Sequence, residues 1–155
     1  MSLPEEVGSA LRAKGLTIAV AESCTGGRLG DMITSVPGSS DYFLGGVISY
    51  SNEAKVGLLG VSADSLEAEG AVSEAVARQM AEGARRAFGA DVGVSTTGIA
   101  GPGGGSPSKP VGLVFIAASA EGRTVCSRHV FPGARDDVKT RSSESALALV
   151  RDMLA

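Results

Sequence analysis

Apolar residues recur at helical spacing at the start of the chain and then give way to a short continuous apolar run. Leu3, Val7 and Leu11 share one helical face. The pattern predicts a first helix that reaches about Lys14 and ends at a glycine. The run LTIAVA, residues 16 to 21, is typical of a buried strand.

The middle of the chain alternates between helical and strand patterns. A helical stretch toward residue 36 ends at Pro37. The segment VISY, residues 47 to 50, predicts a second strand, after which Ser51 or Asn52 can cap a short helix. A longer helix is predicted after Ser73, with one apolar face formed by Val76, Met80, Ala84 and Phe88.

The last third predicts three strands and a closing helix. Residues 91 to 97 form an apolar run that leads into a Gly/Pro-rich segment, residues 98 to 110. Residues 111 to 119 and 123 to 131 read as strands joined by a tight Glu-Gly turn, and a helix follows from about residue 136 to 154. Its predicted inward positions are Val138, Ala146, Val150 and Leu154. We therefore expect an α/β fold with a mixed, mostly parallel sheet between helix layers.

Composition narrows the class of protein. With 155 residues, 43% hydrophobic and 20% charged, the chain fits a single domain, residues 1 to 155, that needs neither disulfides nor metal to form a core. A net charge of −3 and dispersed Lys and Arg residues argue against a groove for nucleic acid. Two cysteines and one histidine support neither a disulfide framework nor a zinc site. The chain also lacks a secretory signal pattern and a long apolar span, so we expect a cytoplasmic protein.

Three segments with unusual chemistry follow predicted strands: ESCTGG, YSNEAK and TTGIAGPGGG. In open α/β sheets, ligands bind outside the carboxyl ends of the strands, so these segments are candidates for a shared site. The first, residues 22 to 27 and called the Ser23 turn below, places a hydroxyl where a strand turns into a helix. Its glycines allow close approach of the backbone, and free N–H groups from Thr25 to Gly27 at a helix start could hold an anion or an oxyanion.

A serine nucleophile needs a base, and Lys55 is the best candidate because His129 lies alone in a late strand. The lysine would have to be neutral near pH 7, about 3 units below its reference pKa of about 10.4. The helix dipole contributes only about 1 kcal/mol, so burial would have to supply most of the change. Tyr50, at the strand end, could relay or orient the proton.

The third segment has five glycines between Gly98 and Gly105 with a proline among them. Thr96 and Thr97 precede it and add hydroxyl groups. It matches neither the P-loop nor the Rossmann pattern, so only a nucleotide site of another kind remains open.

Each of these residues also has an ordinary interpretation. Ser23 could be a helix cap, Lys55 a solvated helix residue and Tyr50 a surface aromatic. Cys24 is either a small buried hydrophobe or a competing thiol nucleophile. The glycine-rich segment could be a flexible crossover. Structural roles are the simplest reading of His129, Cys126 and Met80.

Taken together, four segments resemble the CinA C-terminal domain family: residues 21 to 27, 47 to 61, 70 to 85 and 96 to 117. The likeness extends from about residue 7 to 154. Characterised members of that family include the bacterial nicotinamide-nucleotide amidase.

The resemblance implies a three-layer α/β/α fold with a mixed five-stranded sheet. It also implies metal-free and cofactor-free hydrolysis of nicotinamide mononucleotide to nicotinate mononucleotide and ammonia. It places the catalytic roles on Ser23, Tyr50 and Lys55. The substrate contacts that it implies are Thr25, Gly26, Gly27, Thr97, Gly98, Gly101 and Arg135. The last of these lies in a segment where the family commonly has an acidic residue and this chain has Ala134.

The resemblance also predicts a stand-alone form, without the nucleotide-processing domain of longer relatives. We expect a homo-oligomer that binds a small mononucleotide and neither nucleic acid nor membrane. Three alternatives remain open at this point: a non-catalytic nucleotide-binding or regulatory module, a cysteine hydrolase that uses Cys24, and an oligomerisation partner in competence or recombination, which only the family's name suggests.

Overall fold

The computed structural model describes all 155 residues and contains one five-stranded sheet in the order β2-β1-β3-β4-β5. The strands are β1 Ile18–Glu22, β2 Phe43–Ile48, β3 Val92–Gly98, β4 Leu113–Ala120 and β5 Arg123–Val130. β1 pairs in parallel with β2 and β3, whereas β4 is antiparallel to both β3 and β5. Four strands therefore run in one direction, which confirms the predicted mixed, mostly parallel sheet.

Helices cover both faces of the sheet, which confirms the three-layer arrangement. They are α1 Leu3–Lys14, α2 Arg28–Thr34, α3 Asn52–Leu59, α4 Ala63–Glu69, α5 Glu74–Phe88 and α6 Arg135–Leu154, with a 3₁₀ turn at Ser39–Asp41. α1, α2 and α6 pack together on one face, and α3 and α4 pack with α5 on the other. None of the helices is both long and apolar enough to cross a membrane.

Alternate side chains of β1 enter the apolar clusters on opposite faces of the sheet. Ile18 and Val20 point into the larger apolar cluster, shared with α1, α2 and α6, while Ala19 and Ala21 contact the cluster under α5. The predicted inward face of α5 is confirmed, since Val76, Met80 and Ala84 are buried and Phe88 packs partly against the same cluster. The predicted inward residues of α6 are all buried.

The sequence misplaced β2 and missed α4. β2 begins at Phe43, four residues before the predicted start, because Gly45 and Gly46 hide the strand pattern. A Cβ on Gly46 would lie 2.3 Å from Cγ2 of Val20, so the close approach of β2 to β1 requires glycine there. α4 contains no fully buried residue and therefore gives a weak apolar pattern.

The parallel strands end together at one edge of the sheet. Glu22, the last residue of β1, is in register with Ile48 of β2 and with Thr96 of β3. Two hydrogen bonds extend this register beyond β1, from Ser23 N–H to the Thr96 carbonyl (3.0 Å) and from Ser49 N–H to the Glu22 carbonyl (2.8 Å). This edge therefore brings the three chemically unusual segments together.

Candidate active site

Ser23 and Lys55 are in direct contact at the carboxyl edge of the sheet. Lys55 Nζ lies 2.9 Å from Ser23 Oγ, and both side chains are nearly removed from solvent, at 1% and 7% exposure for the lysine and the serine residue. The amine also donates to the carbonyl of Ser49 (2.6 Å) and, at 3.4 Å, to that of Tyr50. The structure thus places the predicted nucleophile and base side by side.

Lys55 reaches this position from the first turn of α3. Ser51 is the N-cap and accepts from Ala54 N–H (3.1 Å), which settles the choice left open between Ser51 and Asn52. The amine has only neutral oxygen partners and forms no ion pair. Burial lowers the pKa of Lys55, opposed by a smaller charge effect from Cys24. The sequence analysis required burial to supply most of the lowering of the lysine pKa, and Lys55 is buried.

Glu22 is a central residue of this site that the sequence reasoning missed. Its carboxylate is 1% exposed and accepts four hydrogen bonds. The donors are Thr25 Oγ1 (2.6 Å), Gly27 N (3.0 Å), Leu29 N (3.0 Å) and Gly30 N (2.9 Å). The carboxylate therefore satisfies the first N–H groups of α2 from inside the protein. The signal that could have indicated this role is an acidic residue at the end of a strand, followed within a few residues by a glycine-containing turn and a helix start.

The prediction of free N–H groups from Thr25 to Gly27 needs correction. The Gly27 N–H donates to Glu22, and the Gly26 N–H donates to the Ser23 carbonyl (3.2 Å), because the turn folds back on itself. The N–H groups that donate to no other residue are those of Cys24 and Thr25. Any oxyanion contact in the Ser23 turn would come from these two.

Two of the predicted substrate contacts have hydroxyl groups that point into the protein. Thr25 Oγ1 donates to Glu22 and lies 2.8 Å from Thr96 Oγ1. Thr97 Oγ1 donates to the Ala71 carbonyl (2.8 Å). Both threonines are 1% exposed, so their side chains brace the loops and do not reach outward.

A cavity of about 210 Å³ adjoins the Ser23 turn at Cys24, and neither Ser23 nor Lys55 is among its lining residues. It is lined by Cys24 from the Ser23 turn, by Tyr50, by Gly98, Ile99, Ala100, Gly101, Gly103 and Gly104, and by Arg135. Four predicted site residues, Tyr50, Gly98, Gly101 and Arg135, thus share one cavity.

Tyr50 and Arg135 form the rim of this cavity. Arg135 donates to the Gly101 carbonyl (2.8 Å) and to Tyr50 Oη (3.2 Å). The tyrosine is 64% exposed, since β2 ends two residues earlier and the ring leaves the sheet. Its carbonyl, and not its hydroxyl, contacts Lys55, so the structure gives the ring a place beside Arg135 and no direct contact with the amine.

The glycine-rich segment is held at its base and is exposed at its tip, residues 102 to 108. At its base, Ile99 N–H donates to the Leu113 carbonyl at the start of β4, and Gly112 N–H donates to the Ile99 carbonyl. Gly101 has a φ of +85°, and a Cβ there would lie 2.5 Å from Val111 Cγ1. These restraints fix the base of the loop beside the cavity and leave the alternative of a flexible crossover open for its exposed tip.

The cavity wall also contains the competing thiol. Burial raises the pKa of Cys24 to about 12, so the sulfur stays protonated near neutral pH. The lysine amine approaches Ser23 and forms no hydrogen bond with Cys24. The geometry favours the alcohol over the thiol as nucleophile. His129, in β5, stacks on Phe131 just after the strand, at 4.9 Å between ring centroids, which favours a structural role.

Comparison with known families gives one match over almost the whole chain. The family model described as CinA C-terminal domain matches residues 1–154. A "Putative competence-damage inducible protein" of Moorella thermoacetica is 54% identical over 149 residues, covering 96% of this chain and 36% of that protein. A "CinA-like protein" of Chlorobaculum tepidum is 53% identical over 152 residues, covering 95% and 36%. The chain spans about a third of the length of these relatives.

Solved structures share the whole fold. A competence/damage inducible protein, CihA, from Agrobacterium tumefaciens superposes with a TM-score of 0.95 at 38% identity, covering 98% of this chain and 93% of that one. A competence-damaged protein (CinA) superfamily protein from Escherichia coli gives a TM-score of 0.91 at 32% identity, with 99% and 90% covered.

Proposed function

This chain belongs to the CinA C-terminal domain family, and we propose that it is a serine amidohydrolase that acts on the carboxamide of nicotinamide mononucleotide. The products are nicotinate mononucleotide and ammonia. The choice of substrate follows the family resemblance, and the reaction class follows the site. One observation supports it above the others: a buried amine without an acidic partner lies 2.9 Å from an alcohol.

In the first step, Lys55 Nζ takes the proton of Ser23 Oγ as the oxygen forms a bond to the carboxamide carbon. The carbonyl π electrons move to oxygen, where the N–H groups of Cys24 and Thr25 can donate to the developing charge. The turn that carries both N–H groups is held on one side by the bond from Ser23 N–H to the Thr96 carbonyl and on the other by Glu22, which binds Thr25 Oγ1 and Gly27 N–H, so little reorganisation is needed during the reaction.

In the second step, the protonated Lys55 returns its proton to the amide nitrogen, the C–N bond breaks and ammonia leaves an acyl-enzyme. Water then attacks the ester carbon while Lys55 accepts a proton from it. Collapse of this intermediate releases nicotinate mononucleotide and returns the proton to Ser23 Oγ. Lysine thus acts twice as base and twice as acid in one cycle, which requires a pKa lowered toward the working pH.

The cavity has the size needed to hold the nicotinamide ring, which is the reactive end of the substrate. At about 210 Å³ it is smaller than the roughly 300–1,000 Å³ of whole-ligand sites, so it suits one ring with its carboxamide. The ribose and phosphate would then extend outward past Tyr50 and Arg135.

The test is to incubate the protein with nicotinamide mononucleotide and a chelator and to assay both products. We expect Ser23→Ala to lower turnover by about 10³-fold or more, because the nucleophile is lost. The exposed Ser40→Ala variant is the matched control and should turn over normally. Near-normal turnover by Ser23→Ala would remove the serine from the mechanism. Mononucleotide binding without any product from the unaltered protein would instead identify a non-catalytic binding module.

A further inference from the structure

At the start of α6, the acidic side chains have partners, but two basic side chains have no acidic partner. Asp136 forms an ion pair with Arg28 (2.9 Å), and the Asp137 carboxylate accepts from the Ala134 N–H (2.8 Å). Arg135 has only neutral partners, and Lys139 Nζ has neither a hydrogen bond nor an ion pair. Two positive charges on this turn are therefore not neutralised by the carboxylates beside them.

Arg135 lines the cavity, whereas Lys139 lies outside it, against the Ser23 turn. Arg135 and Lys139 are four residues apart and share one face of the helix. Arg135 forms the cavity rim, and Lys139 Nζ lies 3.7 Å from the position that a Cβ of Gly26 would occupy. The Gly26 N–H is bonded to the Ser23 carbonyl, so the ammonium lies against the turn that holds the nucleophile.

The usual anion site of such a turn is already occupied. Three N–H groups at the start of α2 donate to the buried carboxylate of Glu22, so this helix end is neutralised from within. The remaining free N–H groups of the turn, those of Cys24 and Thr25, are assigned to the oxyanion, so a phosphate beside the turn would be met by side-chain cations. Lys139 is a cation beside this turn that lacks a partner.

We propose that Lys139, with Arg135 beside it, binds the phosphate of the substrate and thereby selects a nucleotide over the corresponding nucleoside. This inference rests on the proposed function, because that function supplies the phosphate. The small cavity supports it: with the carboxamide ring in the inner space, the phosphate would lie outside, past Arg135, which is the α6 residue that lines the cavity.

The experiment compares Lys139→Gln with the unaltered protein on nicotinamide mononucleotide and on its dephosphorylated nucleoside. We expect KM for the mononucleotide to rise about tenfold, equivalent to one lost contact of about 1.4 kcal/mol, with kcat within twofold. The value of kcat/KM for the nucleoside should not change, because it has no phosphate to lose. Lys139→Arg should retain most of the mononucleotide affinity, since the charge is kept.

Arg141→Gln is the matched control. Arg141 is exposed on the same helix, two residues away and on a different face, so its loss removes the same charge from α6. It should leave KM for the mononucleotide within twofold. An equal rise in KM for Arg141→Gln, or an equal loss on nucleoside and nucleotide with Lys139→Gln, would overturn the proposal.

A binding measurement separates this inference from the proposed reaction. Calorimetry with nicotinamide mononucleotide on Ser23→Ala, with and without Lys139→Gln, needs no turnover. An approximately tenfold weaker Kd in the double variant supports the phosphate contact even if the protein proves not to be an amidase. Unchanged Kd and KM would refute the contact while leaving the amidase intact, and absence of both binding and turnover would refute both.

Discussion

At the scale of single residues, the chemistry depends on an amine held in an unusual environment. Lys55 is almost completely buried, and its nitrogen contacts a hydroxyl and two carbonyl oxygens without a carboxylate nearby to stabilise the ammonium form. Removal from water then favours the neutral amine, which lowers its pKa. The same property that makes the lysine a base has a cost in folding stability.

That cost predicts a pH dependence for Lys55→Met. The folded pKa lies below the ordinary value of 10.5, so between the two values the unfolded chain binds more protons. The lysine's contribution to stability is complete above 10.5 and is lost as pH falls toward the folded pKa. We expect the free energy of unfolding of the Met variant, relative to the unaltered protein, to increase as pH falls through this window. Urea denaturation of both proteins at a series of pH values measures this difference in the free energy of unfolding. A difference that stays constant across the window would contradict a lowered pKa of Lys55.

The sequence could predict the place of Lys55 but not its contacts. Ser51 and Asn52 are recognisable cap residues, which puts the lysine in a first helical turn. Its burial depends on how closely the end of β2 approaches β1, and that distance is a property of the folded sheet. Glu22 was missed for a related reason. A carboxylate that follows an apolar run is usually exposed at the end of a strand, and its burial becomes evident only from the folded position of the helix that it caps.

At the scale of elements, the β1–α2 connection is built around one carboxylate. Glu22 accepts from one hydroxyl and three N–H groups, so strand, turn and helix meet at a single side chain. The three glycines that supply or flank these donors, Gly26, Gly27 and Gly30, let the backbone wrap closely around it. A Cβ on Gly30 would lie 3.3 Å from Glu22 Oε2, which is tighter than most such contacts.

Glu22→Gln should therefore destabilise the protein although it is nearly isosteric. A glutamine NH₂ group must face at least one of the N–H donors, which leaves a buried donor without an acceptor. We expect the free energy of unfolding to fall by about 2–3 kcal/mol. Urea denaturation tests this, with Glu121→Gln in the exposed β4–β5 turn as the control that should change by less than about 0.5 kcal/mol. A Glu22→Gln variant as stable as the control would show that the carboxylate charge is not needed there.

Elements differ in how well the sequence predicted them. β1, β3, α1, α5 and α6 have continuous apolar runs or clear helical periodicity, and each was placed within a few residues. β2 is an edge strand with two glycines in its centre, and α4 lies on the surface, so neither has a strong pattern of its own. Tertiary packing, and not local preference, defines these two.

At the scale of the whole molecule, the site is assembled by the spacing of three parallel strands. β1 supplies Glu22 and leads into the Ser23 turn, β3 leads into the glycine-rich loop, and β2 delivers the Ser49 carbonyl that holds the lysine amine. Strand order predicts that these loops meet, because parallel strands end at a common edge. It does not predict contacts of 2.9 Å, which depend on side-chain volumes along the strand pairs.

Gly46→Ala tests whether this spacing controls the catalytic pair. The added methyl group would lie 2.3 Å from Val20 Cγ2 and 3.0 Å from the Val20 carbonyl oxygen, so β2 must move away from β1. Overpacking of this kind costs about 1–3 kcal/mol. Because Ser49 follows the same strand, we expect turnover on nicotinamide mononucleotide to fall about tenfold or more in protein that is still folded at the assay temperature.

Gly57→Ala provides the comparison, since a methyl group on this residue of α3 meets nothing within 4 Å. It should raise the free energy of unfolding by about 0.5–1 kcal/mol and leave turnover unchanged. Urea denaturation and steady-state kinetics on both variants give the two quantities. A Gly46→Ala variant that loses stability but keeps full turnover would show that the serine–lysine contact is fixed locally by α3 and its cap, independent of the distance between the strands.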